Sequence, residues 1–512
     1  MPDLDVLLIY PPVAKPAEPP AGVAQLKSAL LKARVSCKVI DANIEALHYL
    51  IRSVHQATLP RSRSALRNRD KNLHTIRSLK AYKKFDHYKR SVLELNRLLA
   101  LAGEPFNASI SFTDYKQKDV APVRSQNLIR AASQPEHNAF FNFFQSELLP
   151  RIDALAPRII GISLIYLSQA LTTFALIGLL RRFWPKTKIV LGGGLVTSWM
   201  SQPSWRNPFA ELVDDFIAGR GEQELLKLLH HSTSKGDHCR PNYENVEWSN
   251  YFSPGRIIPY SASLGCYWRQ CTFCPECAED NKFDPTPMDT AIDDLRAFAG
   301  NKPHLIHFLD NAITPALLKK MARTALPAPW YGYVRFIKAL EDIHFCRALR
   351  DSGCVMLQLG LESGNQSVLD SMKKGIDLER VRIILQNLKK VDISTFVYLL
   401  FGTPYETIKQ ARDTVQFVVD HTDFIDYINP AIFNMPVFSK EAAAHETRTF
   451  YDGDLTLYHD FDHPHGWSRN QVRQFLQKEF RAHPKIKKIL AANPPSFTSN
   501  HAPFFTRQFV KG

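Results

Sequence analysis

Apolar residues in this chain come in short unbroken runs, separated by stretches with helical spacing. Residues 4–10 form such a run and end in Pro11-Pro12, the pattern of a strand buried on both faces that enters a loop. Residues 22–33 have helical spacing, and residues 37–40 read as a second strand ending at Asp41. The pattern resumes at 158–163, with an apolar helix over about 169–183, a strand over 188–191 closing on Gly192-Gly193-Gly194, and a fifth strand over 215–219. Such β/α alternation predicts a doubly wound sheet whose ligand lies at the carboxyl ends of the strands. Between about 48 and 149 the pattern breaks. Residues 79–101 and 127–149 are helical in spacing, 105–122 are polar and irregular, and the stretch reads as a helical insertion.

Alternation starts again at 256. Strands are expected near 256–264, 305–309, 330–336, 355–360, 394–401 and 424–432, with helices over 289–299, 315–324, 343–351, 378–390 and 405–421. After 434 the rhythm is lost, and only 471–478 and 485–492 look helical. The expected fold class is α/β in three parts: residues 1–240 with the insertion at about 50–150, residues 250–433, and a small α-rich C-terminal segment at 434–512.

Composition narrows the class. At 512 residues and 45% hydrophobic content the chain can bury two or three cores. No apolar run is long enough to span a bilayer, and the acidic start at Asp3 and Asp5 does not suit a signal peptide. The eight cysteines are clustered or isolated, which suits a reducing cytoplasm and a metal site better than disulfides. The net charge of +14 concentrates between Arg52 and Arg97, for example at Arg61, Arg63, Arg67, Lys83, Lys84 and Arg90. That stretch is either a solvated helical face or a surface for an anionic partner. With Tyr82, Phe85 and Tyr88 its only aromatics, no nucleic-acid stacking platform is expected.

The sharpest chemistry lies in Gly265-Cys266-Tyr267-Trp268-Arg269-Gln270-Cys271-Thr272-Phe273-Cys274, directly after an expected strand. Three cysteines on a short loop can each give a thiolate to one face of a 4Fe-4S cube, leaving the fourth iron open. The alternative is a zinc site that adds Cys277, although zinc usually takes two knuckles with a longer spacer and no second knuckle is present. Polar residues close the later strands where a plain core would be apolar: Asp310-Asn311, Arg335, the stretch from Gln358 to Gly364, and Gly402 to Thr407. Glu362 and Glu406 could each also cap a following helix.

The cysteine loop resembles the radical S-adenosylmethionine (SAM) signature, with Phe273 before the last cysteine as in that family. It departs in having four residues instead of three between Cys266 and Cys271. The N-terminal set around Tyr10-Pro11, Gly22, Ser163, Gly192 to Gly194, Gly219, Gly221 and Glu222 is similar to the cobalamin-binding domain fused ahead of many radical SAM enzymes. The phrase Gly360-Leu361-Glu362-Ser363-Gly364 followed by Met372-Lys373-Lys374-Gly375 is like the same region of those enzymes.

The resemblance implies a Rossmann-like cobalamin-binding domain followed by a partial (β/α)6 TIM barrel. Cys266, Cys271 and Cys274 would be cluster ligands, and Phe273, Asp310, Arg335, Gln358, Glu362 and Ser363 SAM contacts. Cobalamin would have no histidine lower ligand, because the Asp-x-His-x-x-Gly motif is missing; loss of cobalamin is the alternative. C-terminal segments commonly close over the substrate in this family, which offers Tyr451, Tyr458 and Trp467 for that surface. The implied activity is radical methylation of an unactivated carbon, against radical cyclisation, ring contraction or oxidation without methyl transfer, or a non-catalytic metal- or nucleic-acid-binding protein. A small-molecule or peptide substrate, anionic if the net charge is a guide, and a flavodoxin- or ferredoxin-type electron donor complete the expectation.

Overall fold

The computed structural model describes residues 4–231, 238–300, 303–326, 328–450 and 452–510. The chain divides into two compact units, Met1–Pro254 with Tyr451–Leu457, and Gly255–Phe450 with Tyr458–Gly512.

The first unit is built on a five-stranded sheet of β1 (Leu4–Ile9), β2 (Cys37–Ile40), β3 (Pro157–Ser163), β4 (Lys188–Gly192) and β5 (Asp215–Ile217). All neighbours are parallel, in the order β2-β1-β3-β4-β5. Val6, Leu8, Ile159 and Val190 form part of one buried cluster with Val23 and Leu30 of the helix Ala21–Lys32. This explains why the strands read as continuous apolar runs. Parallel strands need crossover connections, and the long one from β2 to β3, which lies on the far side of β1, contains the insertion. It holds the helices Pro60–Arg67, Arg69–Ile76 and Phe85–Gly103, and a hairpin of Ala108–Ile110 with Tyr115–Gln117. Residues 79–101, expected as one helix, are two: Leu79–Tyr82 and Phe85–Gly103. The polar stretch expected to be irregular contains the hairpin. Arg61, Arg63, Arg67, Lys83, Lys84 and Arg90 are exposed.

The second unit contains six parallel strands: β6 (Ile257–Tyr260), β7 (Leu305–Phe308), β8 (Trp330–Val334), β9 (Cys354–Glu362), β10 (Ser394–Phe401) and β11 (Tyr427–Ile432). Each lies beside its predecessor in the chain. The expected strand 256–264 is broken after Tyr260. Asp310 accepts from the Ala262 N–H at 3.0 Å and the Ser263 hydroxyl at 2.6 Å, and residues 263–264 pair antiparallel with Asp284–Pro285 instead. The last strand begins at Tyr427, not 424; the Phe424 carbonyl instead accepts from the Thr395 side chain of the neighbouring strand β10 at 2.9 Å. The helix expected from 405 starts at Ile408, where Thr407 and Gln410 form a capping box, so Glu406 does not cap it. Nor does Glu362 cap the helix Gln366–Ser371; Asn365 does.

The C-terminal segment is less helical than expected. Beside the helices Arg469–Phe475 and Pro484–Ala492 it holds a small antiparallel sheet of Met435–Pro436, Tyr458–Phe461 and Thr447–Thr449. Among the described residues no helix is long and apolar enough to cross a membrane.

Candidate functional site

The cysteine loop leaves the carboxyl end of the first strand in the six-stranded sheet, the edge where parallel α/β sheets collect their ligands. Cys271 is buried, while Cys266, Cys274 and Cys277 are half-buried. Three consecutive carbonyls of the turn after helix Gln366–Ser371 hold the loop and its neighbour. Met372 O accepts from the Thr272 N–H at 3.1 Å, and Lys373 O from Trp268 Nε1 at 3.0 Å. Lys374 O accepts from the Arg335 guanidinium. Gly375, at φ +65, lets the Trp268 ring sit against its backbone, where a Cβ would collide with the indole.

Two cations face the thiols. Arg335 Nη1 lies 3.7 Å from Cys271 Sγ, and its guanidinium stacks over Trp268 at 4.3 Å. Lys374 Nζ sits over the Phe273 ring at 5.5 Å and pairs with Glu362 Oε1 at 2.7 Å. Both partners are nearly buried, with side chains 8% and 12% exposed. Burial raises the Cys271 thiol above its ordinary range, and Lys374 and Arg335 pull it partly back. Iron would complete that shift by displacing the proton. The donor set therefore fits an iron–sulfur cluster with net negative charge: three thiols and two adjacent cations. Among the described residues no three metal-binding side chains are already closed on a single ion.

Of the other expected SAM residues, Gln358 lies within β9, Glu362 and Ser363 at its carboxyl end, and Asp310 just beyond β7. Gln358 is 1% exposed; its Nε2 donates to the Tyr398 hydroxyl at 2.9 Å while its Oε1 is buried without a partner. Tyr398 packs on Tyr333 with centroids 5.1 Å apart, and burial pushes the Tyr333 phenol well above its usual range. Glu362 adopts φ +67 where the register between β9 and β10 shifts, which turns its carboxylate over Gly360. Ser363 is fully buried, its hydroxyl lying 3.2 Å from Thr414 Oγ1 and 3.2 Å from the Asn365 N–H. Both oxygens of Asp310 are engaged at the start of the cysteine loop. Glu406, also fully buried, accepts from the Gly402 N–H at 2.7 Å; burial raises its carboxyl to about 8.

Tyr458 is half-buried and within electrostatic range of Cys274 and Glu279. Trp467 is 4% exposed and packs edge-on to Phe475 at 5.6 Å. Tyr451 lies outside the described residues. Lys374 and Trp268 were missed as site residues. The signal was present for both: a lysine beside the Gly375 turn, and an aromatic inside the thiol loop.

In the first unit the expected cobalamin residues divide in two. Tyr10 and Pro11 are buried, and the Pro11 carbonyl accepts from Gln169 Nε2 at 2.7 Å. Gly193, at φ +111, meets the Leu164 backbone, so its missing Cβ serves the chain's own packing. Gly22 and Gly219 instead face open space, with Gly219 at φ +67. Ser163, Gly192, Gly194, Gly221 and Glu222 stand partly or fully exposed at the same strand ends and helix starts. This rim of backbone and small side chains fits a broad ligand approached closely by main chain.

These features define a protein that mounts thiols and cations at the carboxyl edge of one parallel sheet and glycines at that of another. Residues 260–418 match the model of the Radical SAM superfamily, so this stretch is a radical SAM domain. The chain is 28% identical over 177 residues to bacteriochlorophyllide d C-12(1)-methyltransferase of Chlorobaculum tepidum, covering 32% of this chain and 38% of the relative. To tryptophan 2-C-methyltransferase of Streptomyces laurentii it is 22% identical over 194 residues, covering 34% and 32%. The matched stretches thus span well under two thirds of those relatives. Its fold is similar to the radical SAM methyltransferase TsrM of Kitasatospora setae, solved with cobalamin and a 4Fe-4S cluster bound. That match has a TM-score of 0.52 at 15% identity and covers 90% of this chain and 82% of the other.

Proposed function

We propose that this chain is a cobalamin-dependent radical SAM methyltransferase acting on an unactivated carbon. The observation that carries the reading is the loop of Cys266, Cys271 and Cys274 beside Arg335 and Lys374, within the stretch matched by the Radical SAM model. In this reading the second unit is a partial (β/α)6 barrel and the first a Rossmann-like cobalamin-binding domain. When bound, the cluster and SAM supply a 5′-deoxyadenosyl radical and cobalamin a transferable methyl group.

The chain's own residues bind and orient. Arg335 and Lys374 offset the negative charge gathered by the three thiolates. The Glu362 carboxylate already holds an ammonium, that of Lys374, and suits the amino group of SAM. Gln358 Oε1 offers a buried acceptor to the same ligand, and Phe273 and Ser363 would be further contacts. Asp310 is a positioning residue that fixes the start of the loop. Ser163, Gly192 to Gly194, Gly22, Gly219, Gly221 and Glu222 would cradle cobalamin. The segment 10–20 contains no histidine to reach the cobalt from below. Tyr458 and Trp467 are proposed to face the substrate, a small molecule or peptide whose anionic character would complement the net charge. A flavodoxin or ferredoxin in the cytoplasm would deliver electrons.

The test is anaerobic. Protein reconstituted with iron, sulfide and cobalamin is given SAM and a strong reductant, and SAM-derived products are quantified by mass spectrometry. 5′-Deoxyadenosine that disappears in Cys271→Ala supports the radical reading, and cobalamin-dependent S-adenosylhomocysteine supports methyl transfer. 5′-Deoxyadenosine alone would reassign the chain to radical chemistry without methylation. A fully loaded protein that yields neither product would overturn both.

A further inference from the structure

Cys277 has no part in the proposed ligand set, yet it is built against a member of it. Cys274 stands at the start of the helix Pro275–Ala278, and the N–H groups of Cys277 and Ala278 both donate to the Cys274 carbonyl at 3.1 Å. Residues three apart on one helical turn face the same side. The two thiols are accordingly hydrogen-bonded to each other, and both are half-buried, so a small thiol reagent can reach them. Among the alternatives, Cys271 is buried beneath Arg335, Cys239, Cys346 and Cys354 are buried elsewhere, and half-buried Cys266 does not share the helical turn that pairs Cys274 with Cys277.

Resting on the ligand assignment above, we propose that Cys274 and Cys277 form a reversible disulfide when no cluster is held. The oxidant is a small-molecule disulfide such as oxidised glutathione. Cys277 attacks it as the thiolate, forming a mixed disulfide and expelling one glutathione thiolate. Cys274 then attacks the protein sulfur of that mixed disulfide, closing the Cys274–Cys277 bond and expelling the second. The two thiols give up two electrons and two protons, which leave as two molecules of reduced glutathione. The bond removes one of three ligands, so the oxidised loop accepts neither iron nor a stray metal until it is reduced. A bound cluster prevents the reaction by occupying Cys274.

The test uses the full chain, free of metal and under argon, treated with oxidised glutathione, alkylated and digested with trypsin. Cleavage after Arg269 and Lys282 places Cys271, Cys274 and Cys277 in one peptide and Cys266 in the one before. The expected product is peptide 270–282 lacking two hydrogens, with fragmentation locating the bond between Cys274 and Cys277 and Cys271 alkylated. Iron uptake by this form should fall about tenfold and return with dithiothreitol, since the ligands must be free thiolates. Cys277→Ser should lose the internal bond while taking up iron as the parent does, and the cluster-loaded parent should resist the treatment. A bond to Cys266 or Cys271, or glutathione adducts without an internal bond, would overturn the proposal. So would loss of iron from Cys277→Ser, which would make Cys277 a ligand. Failure of the functional reading shows separately, as absence of 5′-deoxyadenosine from fully loaded protein.

Discussion

The two sheets present opposite rims from the same architecture. In the first unit the strand ends are finished with glycine, and Gly22 and Gly219 leave open space beside bare backbone. In the second they carry charge, thiol and aromatic groups packed against each other, with the Lys374–Glu362 pair nearly dry. A parallel sheet supplies a place for a ligand but not its chemistry. The first rim suits a ligand that brings its own reactive centre and needs only to be held. The second suits a reaction whose charge and electron flow the protein must control.

Substitutions can break this contrast, and the largest effect should come from the thiols. Cys271→Ala is expected to abolish cluster retention, read as iron per chain, and to leave the first unit's cobalamin content unchanged. Next is Lys374→Met, which strands the Glu362 carboxylate in a nearly dry place. It should cost about 3–5 kcal/mol in urea unfolding, and pairing it with Glu362→Gln should recover a good part.

On the first rim, Gly193→Ala should cost about 3 kcal/mol, because a Cβ there meets the Leu164 backbone at a positive φ. Gly219→Ala should cost only about 1 kcal/mol of stability, the strain of its φ, while reducing cobalamin retained after gel filtration. The two alanines thereby separate glycine used for folding from glycine used for binding.

The last effect is a slope. Glu406 keeps its proton up to about pH 8 when folded, whereas the unfolded chain loses it near the ordinary glutamate value. Between those values the folded state binds more protons, so stability falls as pH rises through that window. Glu406→Gln should flatten the fall between about pH 5 and 8, read as the change with pH of the unfolding free energy from urea titrations.

Much of this was legible because strand and helix periods differ and because thiols are rare. The strands near 4–10, 188–191 and 394–401 are apolar runs with glycine or proline beyond them, and the structure has strands there. The break after Tyr260 was not legible, since Asp310, the residue that draws Ala262 and Ser263 aside, stands 48 and 47 positions away. The strand Thr447–Thr449 is three exposed residues long, too short for any period to register. Lys374 reads as an ordinary polar residue until Glu362 is seen beside it. Glycine spacing alone could not separate Gly193 from Gly219, because both follow strands and only the space around each tells them apart.

The row of carbonyls at Met372, Lys373 and Lys374 has a consequence for how metal enters. The loop's amide and indole, with the neighbouring guanidinium, are already tied to that row. The segment is therefore a preset mould, and most of its ordering entropy is spent when the chain folds and not when iron arrives. Stripping the metal should leave the Thr272 amide slow to exchange with deuterated solvent, the mark of a receptacle that keeps its form when emptied.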